Sequence, residues 1–250
     1  MTIPKEDINV LLACEESQAT TTEFRKLGFN AFSCDIKNNS GPLNKYHIKG
    51  DVLEVLNGYN GIKWDLMIAH PPCTYLAVSG ASWFYDPLDK KKLKKNRRPH
   101  PKFPNRRKKQ EEAILFFKKL MKAPIKYIAL ENPISIISSK YRKPDCIVHP
   151  YHFGDEASKA TCFWLKNLPL LESTKMVSKG RMHVDNKGKN WNHWVWESFC
   201  LKTTKEKRAF RSKTFPGMAK AMATQWGEYV YNNKNKIINC HKGQFELNLN

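Results

Sequence analysis

Short apolar runs recur along the chain, and most of them stop at a polar or reactive residue. Residues 8–13 (INVLLA) precede Cys14 and Glu15, residues 30–35 (NAFSCD) end in Asp35, and residues 48–52 end near Asp51. Residues 64–70 (WDLMIAH) run into Pro71-Pro72-Cys73, and residues 127–130 (YIAL) run into Glu131-Asn132-Pro133. A later run, TCFWL, covers residues 161–165. Runs this short, with no polar alternation, fit strands buried on both faces. Helical patterns at residues 20–27 and 111–122 separate them, and a third at 216–231 opens with Pro216 at a position where proline is tolerated. Strands alternating with helices predict an α/β fold with a doubly wound, mostly parallel sheet of six or seven strands. Ligands bind such sheets at the carboxyl ends of the strands. Glu15, Asp35, Asp51, Cys73 and Glu131 are therefore expected on one rim.

At 250 residues and 41% hydrophobic, the chain can bury a sizeable core, which excludes a disordered tail or a disulfide scaffold. Its seven cysteines include no CxxC pair, so neither metal nor disulfide framework is expected, and the reading is a reduced, cytoplasmic protein. No signal peptide is visible, and the longest uncharged stretch, 66–85, holds two prolines and makes a poor membrane span. The net charge is +20, and residues 90–109 contribute twelve Lys/Arg and no acid. Without them, 31 basic residues face 23 acids. Three prolines mark this segment as a loop, and its repelling charges predict disorder until phosphates bind. Lys94, Lys95, Arg97, Arg98, Arg106 and Arg107 are the candidate phosphate contacts. A plain solvated charge run is the alternative. Residues 173–208 read as irregular or β-rich, with Trp191, Trp194 and Trp196. Alternation at 194 and 196 would put two indoles on one strand face, for packing or for base stacking.

A cysteine thiolate is a strong nucleophile, and a carboxyl group facing it can orient or protonate a heterocycle. Each residue also has an ordinary reading: Cys73 as a small apolar residue, Glu131 as a cap, Asp35 and Asp51 as strand-end turns.

Taken together, HPPCTYLAVSG (residues 70–80) and ENP (residues 131–133) resemble the DNA cytosine-C5 methyltransferases, in which one strand runs into a Pro-Cys loop and a later one ends in Glu-Asn-Val. INVLLACEES resembles the first cofactor motif, although it carries no glycine where the family is glycine-rich. Gly50-Asp51-Val52, Phe153-Gly154 with Lys159-Ala160-Thr161, and Thr214 through Ala219 resemble further motifs in the family's order. The resemblance covers residues 8–228 and is nearest to short, phage-type members. The family's two arginines near Lys159 are absent.

The resemblance implies a Rossmann-like methyltransferase fold, a catalytic domain over residues 1–172 and 209–232, a basic insertion at 86–110, a reduced recognition region at 173–208 and a polar tail at 233–250. It implies S-adenosylmethionine as cofactor, held by Ala13, Cys14, Glu15, Ser17, Asp35, Ile36, Asp51, Val52, Pro71 and Thr214. Cys73 would attack C6 of cytosine, Glu131 would hold its N3 edge, Asn132 would brace the Cys73 loop, and Lys159 would be the nearest cation. His70 would serve the structure. Ser79 would touch DNA with the basic segment. The implied partner is DNA, or alternatively RNA or a free pyrimidine nucleotide. A catalytically silent nucleic-acid-binding homologue is the other alternative. The chain would be a monomer or weak dimer in a bacterial or phage-infected cytosol.

Overall fold

The computed structural model describes residues 2–247, and side chains as far as residue 239. In chain order the elements are β1 (Asn9–Ala13), α1 (Ala19–Lys26), β2 (Asn30–Asp35), β3 (His47–Lys49), α2 (Val52–Val55) and β4 (Leu66–Ala69). Then come α3 (Arg106–Met121), β5 (Tyr127–Pro133), α4 (Ile137–Lys140), β6 (Cys146–Val148) and β7 (Thr161–Lys166). The chain closes with β8 (Met182–Val184), β9 (Asn190–Asn192), α5 (His193–Cys200), α6 (Thr204–Ser212) and α7 (Pro216–Leu247).

Seven strands form one sheet in the order β3-β2-β1-β4-β5-β7-β6. β1 to β5 run parallel, and β7 is antiparallel to both β5 and β6. The fold is Rossmann-like: α/β, doubly wound and mostly parallel. Strand order reverses between β1 and β4, the place where such a sheet opens a crevice at its carboxyl end.

Alternation along each strand feeds two cores. Val10, Leu12, Ile68 and Ala129 pack with α1 and α7 through Phe24, Met222, Trp226 and Val230. Leu11, Ala13, Met67 and Leu130 pack on the opposite face with Phe117 and Leu120 of α3. Each fully buried Leu or Phe in these layers contributes about 1.5–3 kcal/mol. Gly217, at the start of α7, has a packing reason. A Cβ there would sit 2.0 Å from the Phe153 carbonyl oxygen, and the Gly217 N–H instead donates to Asp155 Oδ2 at 2.9 Å.

Several expectations are corrected. The third strand stops at Lys49, because Asp51 leaves the sheet to cap α2, accepting from the Leu53 N–H. β6 carried no sequence signal, being an edge strand of three residues. α3 begins at Arg106 rather than near 111, and its Leu115 is exposed. Trp194 and Trp196 lie on helix α5, not on a strand. The helix expected to end near Tyr231 continues to Leu247; the last residues of the expected polar tail, 248–250, lie outside the described residues.

The basic segment is folded rather than disordered. Asp86 and Asp89, just upstream of it, are buried and gather Arg98. Arg98 meets Asp86 Oδ2 at 3.0 Å through Nη2, and Asp89 Oδ2 at 3.0 Å through Nε. Trp83, His100 and Phe103 form an aromatic cluster beside this hub, and Arg106 lies over Phe84. Two acids placed outside the cationic run thus compensate enough of its repulsion to order it. Among the described residues, no helix is long and apolar enough to cross a membrane, and no cluster of His, Cys, Asp and Glu suits a metal.

Candidate active site

β4 and β5 are neighbours in the sheet, with Ala69 opposite Leu130. Cys73 and Glu131 therefore leave the same rim from adjacent strands. The loops that follow are stitched together. Val78 N–H donates to Ile134 O, Ile136 N–H donates to Leu76 O, and Ala77 bridges Ser135. Asn132, buried within β5, donates Nδ2 to the Pro71 carbonyl at 2.9 Å and so ties the Pro-Pro-Cys turn to β5. On the other side Arg106 Nη2 donates to Thr74 O at 2.7 Å, and Gln110 Nε2 donates to Tyr75 O at 2.8 Å. Helix α3 thus clamps the two residues after Cys73.

His70, set aside as structural, belongs to the site. Its Nδ1 lies 3.1 Å from Glu131 Oε2, and both side chains are largely buried. Burial alone would lower the His70 pKa, but the hydrogen bond and charge of Glu131 outweigh it and raise it. Burial alone would raise Glu131, but the His70 hydrogen bond and the nearby Lys159 charge hold its carboxyl below the usual range. Each partner thus favours the charged form of the other, and His70 Nε2 is buried with no hydrogen-bond partner among the described residues.

Cys73 is exposed as a residue, yet desolvation of its sulfur pushes the thiol up. The Glu131 charge pushes the same way, and Lys159 opposes both. Lys159 therefore acts on Cys73 and Glu131 together, while its Nζ is held by Arg211 O at 3.3 Å and lies 5.9 Å from the Trp194 ring centroid. That Trp donates Nε1 to Ser158 O at 3.2 Å. Trp191 donates to Asp185 Oδ2 at 2.8 Å, and Trp196 stacks on His183. Trp191 and Trp196 pack within the 173–208 region, and Trp194 ties it to Ser158 and Phe215.

The second half of the rim lies over β1 to β3. The loop after β1 has no glycine, yet Cys14 (φ 58°) and Gln18 (φ 56°) adopt the left-handed conformation that glycine takes most easily. Gln18 is fully buried and compensates for that strain. Its Nε2 donates to Ser33 Oγ at 3.0 Å and to Leu43 O at 2.9 Å, and its Oε1 accepts the Leu43 N–H at 2.8 Å. Gly41 allows this contact, since a Cβ there would sit 2.5 Å from Ser17 O.

The candidate cofactor residues differ in what they have left to offer. Glu15 is buried, and its carboxylate is committed to the first turn of α1, accepting from the Thr20 and Thr21 N–H groups and the Thr21 hydroxyl. It is a cap. The side chains of Ala13 and Val52 are buried in the core, and Thr214 is buried too. Pro71 presents its carbonyl to Asn132. Asp35 accepts the Lys37 N–H with Oδ1, and Asp51 accepts the Leu53 N–H with Oδ1. Among the described residues, neither acid has a partner for its second oxygen. Ile36, beside Asp35, is 73% exposed, unusual for an isoleucine on a rim. Two carboxylates with spare acceptors next to an exposed apolar side chain fit a ligand that carries hydroxyls, an amine and a flat ring. Ser17, with Glu16, Ser40 and Phe210 of α6, lines a hollow of about 300 Å³ beside that rim.

Of the candidate phosphate contacts, Arg98 is paired with two acids and Arg106 anchors the Cys73 loop. Ser79, Lys94, Lys95 and Arg107 are exposed, and Arg97 is half-buried.

No protein-family profile matches the chain, and no curated protein matches it in sequence. Among the solved structures that match is one from E. coli, a prophage-encoded protein provisionally assigned as a DNA modification methyltransferase. It is 15% identical, with a TM-score of 0.42, over 68% of this chain and 52% of that one. The match thus spans about half of that protein, and a likeness of this extent carries no inference about activity.

Proposed function

We propose that the chain is an S-adenosylmethionine-dependent methyltransferase acting on C5 of cytosine in DNA through a covalent adduct of Cys73. The observation that carries this reading is the seating of Cys73 and Glu131 at the ends of adjacent strands, their loops zipped together and Asn132 bracing the turn between them.

S-adenosylmethionine, when bound, supplies an electrophilic methyl group. Asp35 and Asp51 would hold it through their spare oxygens, with Ile36 against its flat ring. The chain's own residues do the rest. Cys73 rests as a thiol, and its proton must leave to solvent before sulfur bonds to C6 of the pyrimidine. Lys159 favours that thiolate. Bonding at C6 pushes an electron pair to C5, which then takes the methyl group. Loss of the C5 proton to solvent re-forms the ring double bond and expels Cys73 as thiolate, breaking the sulfur–C6 bond. Glu131, ionised at rest, accepts from the exocyclic amine. The proton that N3 takes as the adduct forms would pass from His70 Nδ1 through Glu131, and it would return by the same path when the sulfur–C6 bond breaks. A base within a duplex is out of reach of such a rim, so duplex substrate must present the cytosine flipped out.

The test is transfer of labelled methyl from S-adenosylmethionine to DNA, RNA and dCMP, with wild type and Cys73→Ala. DNA labelled by wild type alone is the expected result. Equal turnover in Cys73→Ala removes the covalent mechanism, and labelling of dCMP alone moves the substrate to a free nucleotide.

A further inference from the structure

A larger cavity than the hollow at Ser17 lies away from the β1–β3 rim. A cleft of about 650 Å³ opens between the Cys73 loop and the basic insertion, a size that encloses a small organic ligand. Val78 forms part of its wall and is 52% exposed; Trp83, 49% exposed, forms another part. Tyr85 lines it too, with the guanidinium groups of Arg97 and Arg107 lying 5.5 and 5.0 Å from its ring centroid. Lys94 stands on the same lining. The acid of the lining, Asp86, is already paired with Arg98, so among the described residues the lining cations Lys94, Arg97 and Arg107 meet no carboxylate. Concave walls, exposed aromatic and aliphatic side chains and uncompensated cations suit a ligand that is flat and anionic. The bases of a duplex have their faces stacked, whereas an unpaired base can give one to an aromatic side chain. The cleft is also tied to the site, since Arg106 spans from α3 to Thr74, the residue after Cys73.

We propose that this cleft takes one unpaired nucleotide of single-stranded DNA, its base against Trp83 and Val78 and its phosphate among Lys94, Arg97 and Arg107. That this nucleotide flanks the base offered to Cys73 rests on the function proposed above; the binding itself does not.

The test is equilibrium binding, without cofactor, of a short oligothymidylate, an abasic chain of the same length and a duplex. One stacked base predicts that wild type prefers oligothymidylate to the abasic chain by about fivefold to a hundredfold. Trp83→Phe should keep part of that preference, and Trp83→Leu should lose it. Trp83 also packs on His100 and Phe103, so its loss can perturb the insertion. Ala81→Trp avoids this by filling the cleft from an exposed position. It should abolish the preference and leave affinity for the abasic chain intact. Equal affinity of wild type for the two chains, a preference unchanged in Ala81→Trp, or tighter binding of duplex than of single strand each overturns the proposal. Absence of methyl transfer with the preference intact counts against the chemistry at Cys73 and leaves the cleft standing.

Discussion

His70 Nδ1 and Glu131 Oε2 lie 3.1 Å apart on side chains that are 10% and 16% exposed, from residues separated by 61 positions in the chain. The contact favours the carboxylate charge of Glu131, which burial alone would disfavour. His70→Ala leaves that charge buried and partnerless, and a loss of about 3 kcal/mol is expected. The pair has a pH window. The raised His70 value means its contribution is full below the usual 6.5 and disappears as pH rises through the raised value. The lowered Glu131 value means its contribution is full above the usual 4.5 and disappears as pH falls through the lowered value. Urea midpoints across pH, for wild type, His70→Gln, Glu131→Gln and the double variant, should show a coupling energy confined to that window. A coupling that does not vary with pH would mean the two side chains interact without charge.

Cys73 should be slow to alkylate at neutral pH. Its thiol is raised above the usual 9.0 by desolvation and by the Glu131 charge, so its alkylation rate should climb about tenfold per pH unit through pH 9. Glu131→Gln removes one cause of the rise and should speed alkylation at a given pH. Lys159→Met removes the opposing charge and should slow it. Mass spectrometry of the Cys73 peptide after timed iodoacetamide pulses reads all three rates. A faster Lys159→Met would show that Lys159 does not act on the sulfur.

Asn132→Ala should cost about 1–3 kcal/mol, because the buried Pro71 carbonyl loses its donor. The loop that carries Cys73 loosens while the β1–β3 rim is untouched. Turnover is expected to fall well beyond any change in S-adenosylmethionine affinity. Calorimetric titration beside steady-state rates distinguishes this from general unfolding, which would lower both.

The basic insertion contains cations of two kinds, and a salt titration should separate them. Replacing Lys90, Lys94, Lys95 and Lys108 by Gln should flatten the slope of log affinity against log salt. Each phosphate that is no longer neutralised should flatten it by about 0.9 on duplex or about 0.7 on single strand. Arg98→Gln should instead destabilise the insertion, since it leaves Asp86 without its cation and the buried Asp89, whose carboxyl Arg98 and then Lys92 hold well below the usual range, with Lys92 alone. Proteolysis within 86–110 would report that opening. An Arg98→Gln protein that resists protease and loses only salt dependence would place Arg98 with the cations that bind phosphate.

What the chain announced by itself was local. Apolar runs such as 8–13 and 64–70 fit inner strands, and a polar residue at the end of an inner strand emerges at the rim. That much put Asp35, Asp51, Cys73 and Glu131 at or just beyond the ends of apolar runs, and in the fold they lie at or after the ends of β2, β3, β4 and the apolar part of β5. The bracing role of Asn132 came from the resemblance, and its bond to Pro71 fits it. Tertiary structure decided which of the rim's groups are free to act. Glu15 and Asp35 read alike as acids after strands, but Glu15 folds back onto the N–H groups of Thr20 and Thr21 while Asp35 keeps an oxygen open. Arg97 and Arg98 are sequence neighbours of equal charge, yet only Arg98 reaches Asp86 and Asp89. Cys14 and Gln18 gave no sign of standing in for glycine, and the left-handed backbone of Gln18 is compensated by contacts with Ser33 and Leu43, distant in the chain. Charge and hydrogen bonding depend on distances of a few ångströms between residues far apart in the chain, and those distances exist only once the sheet has formed.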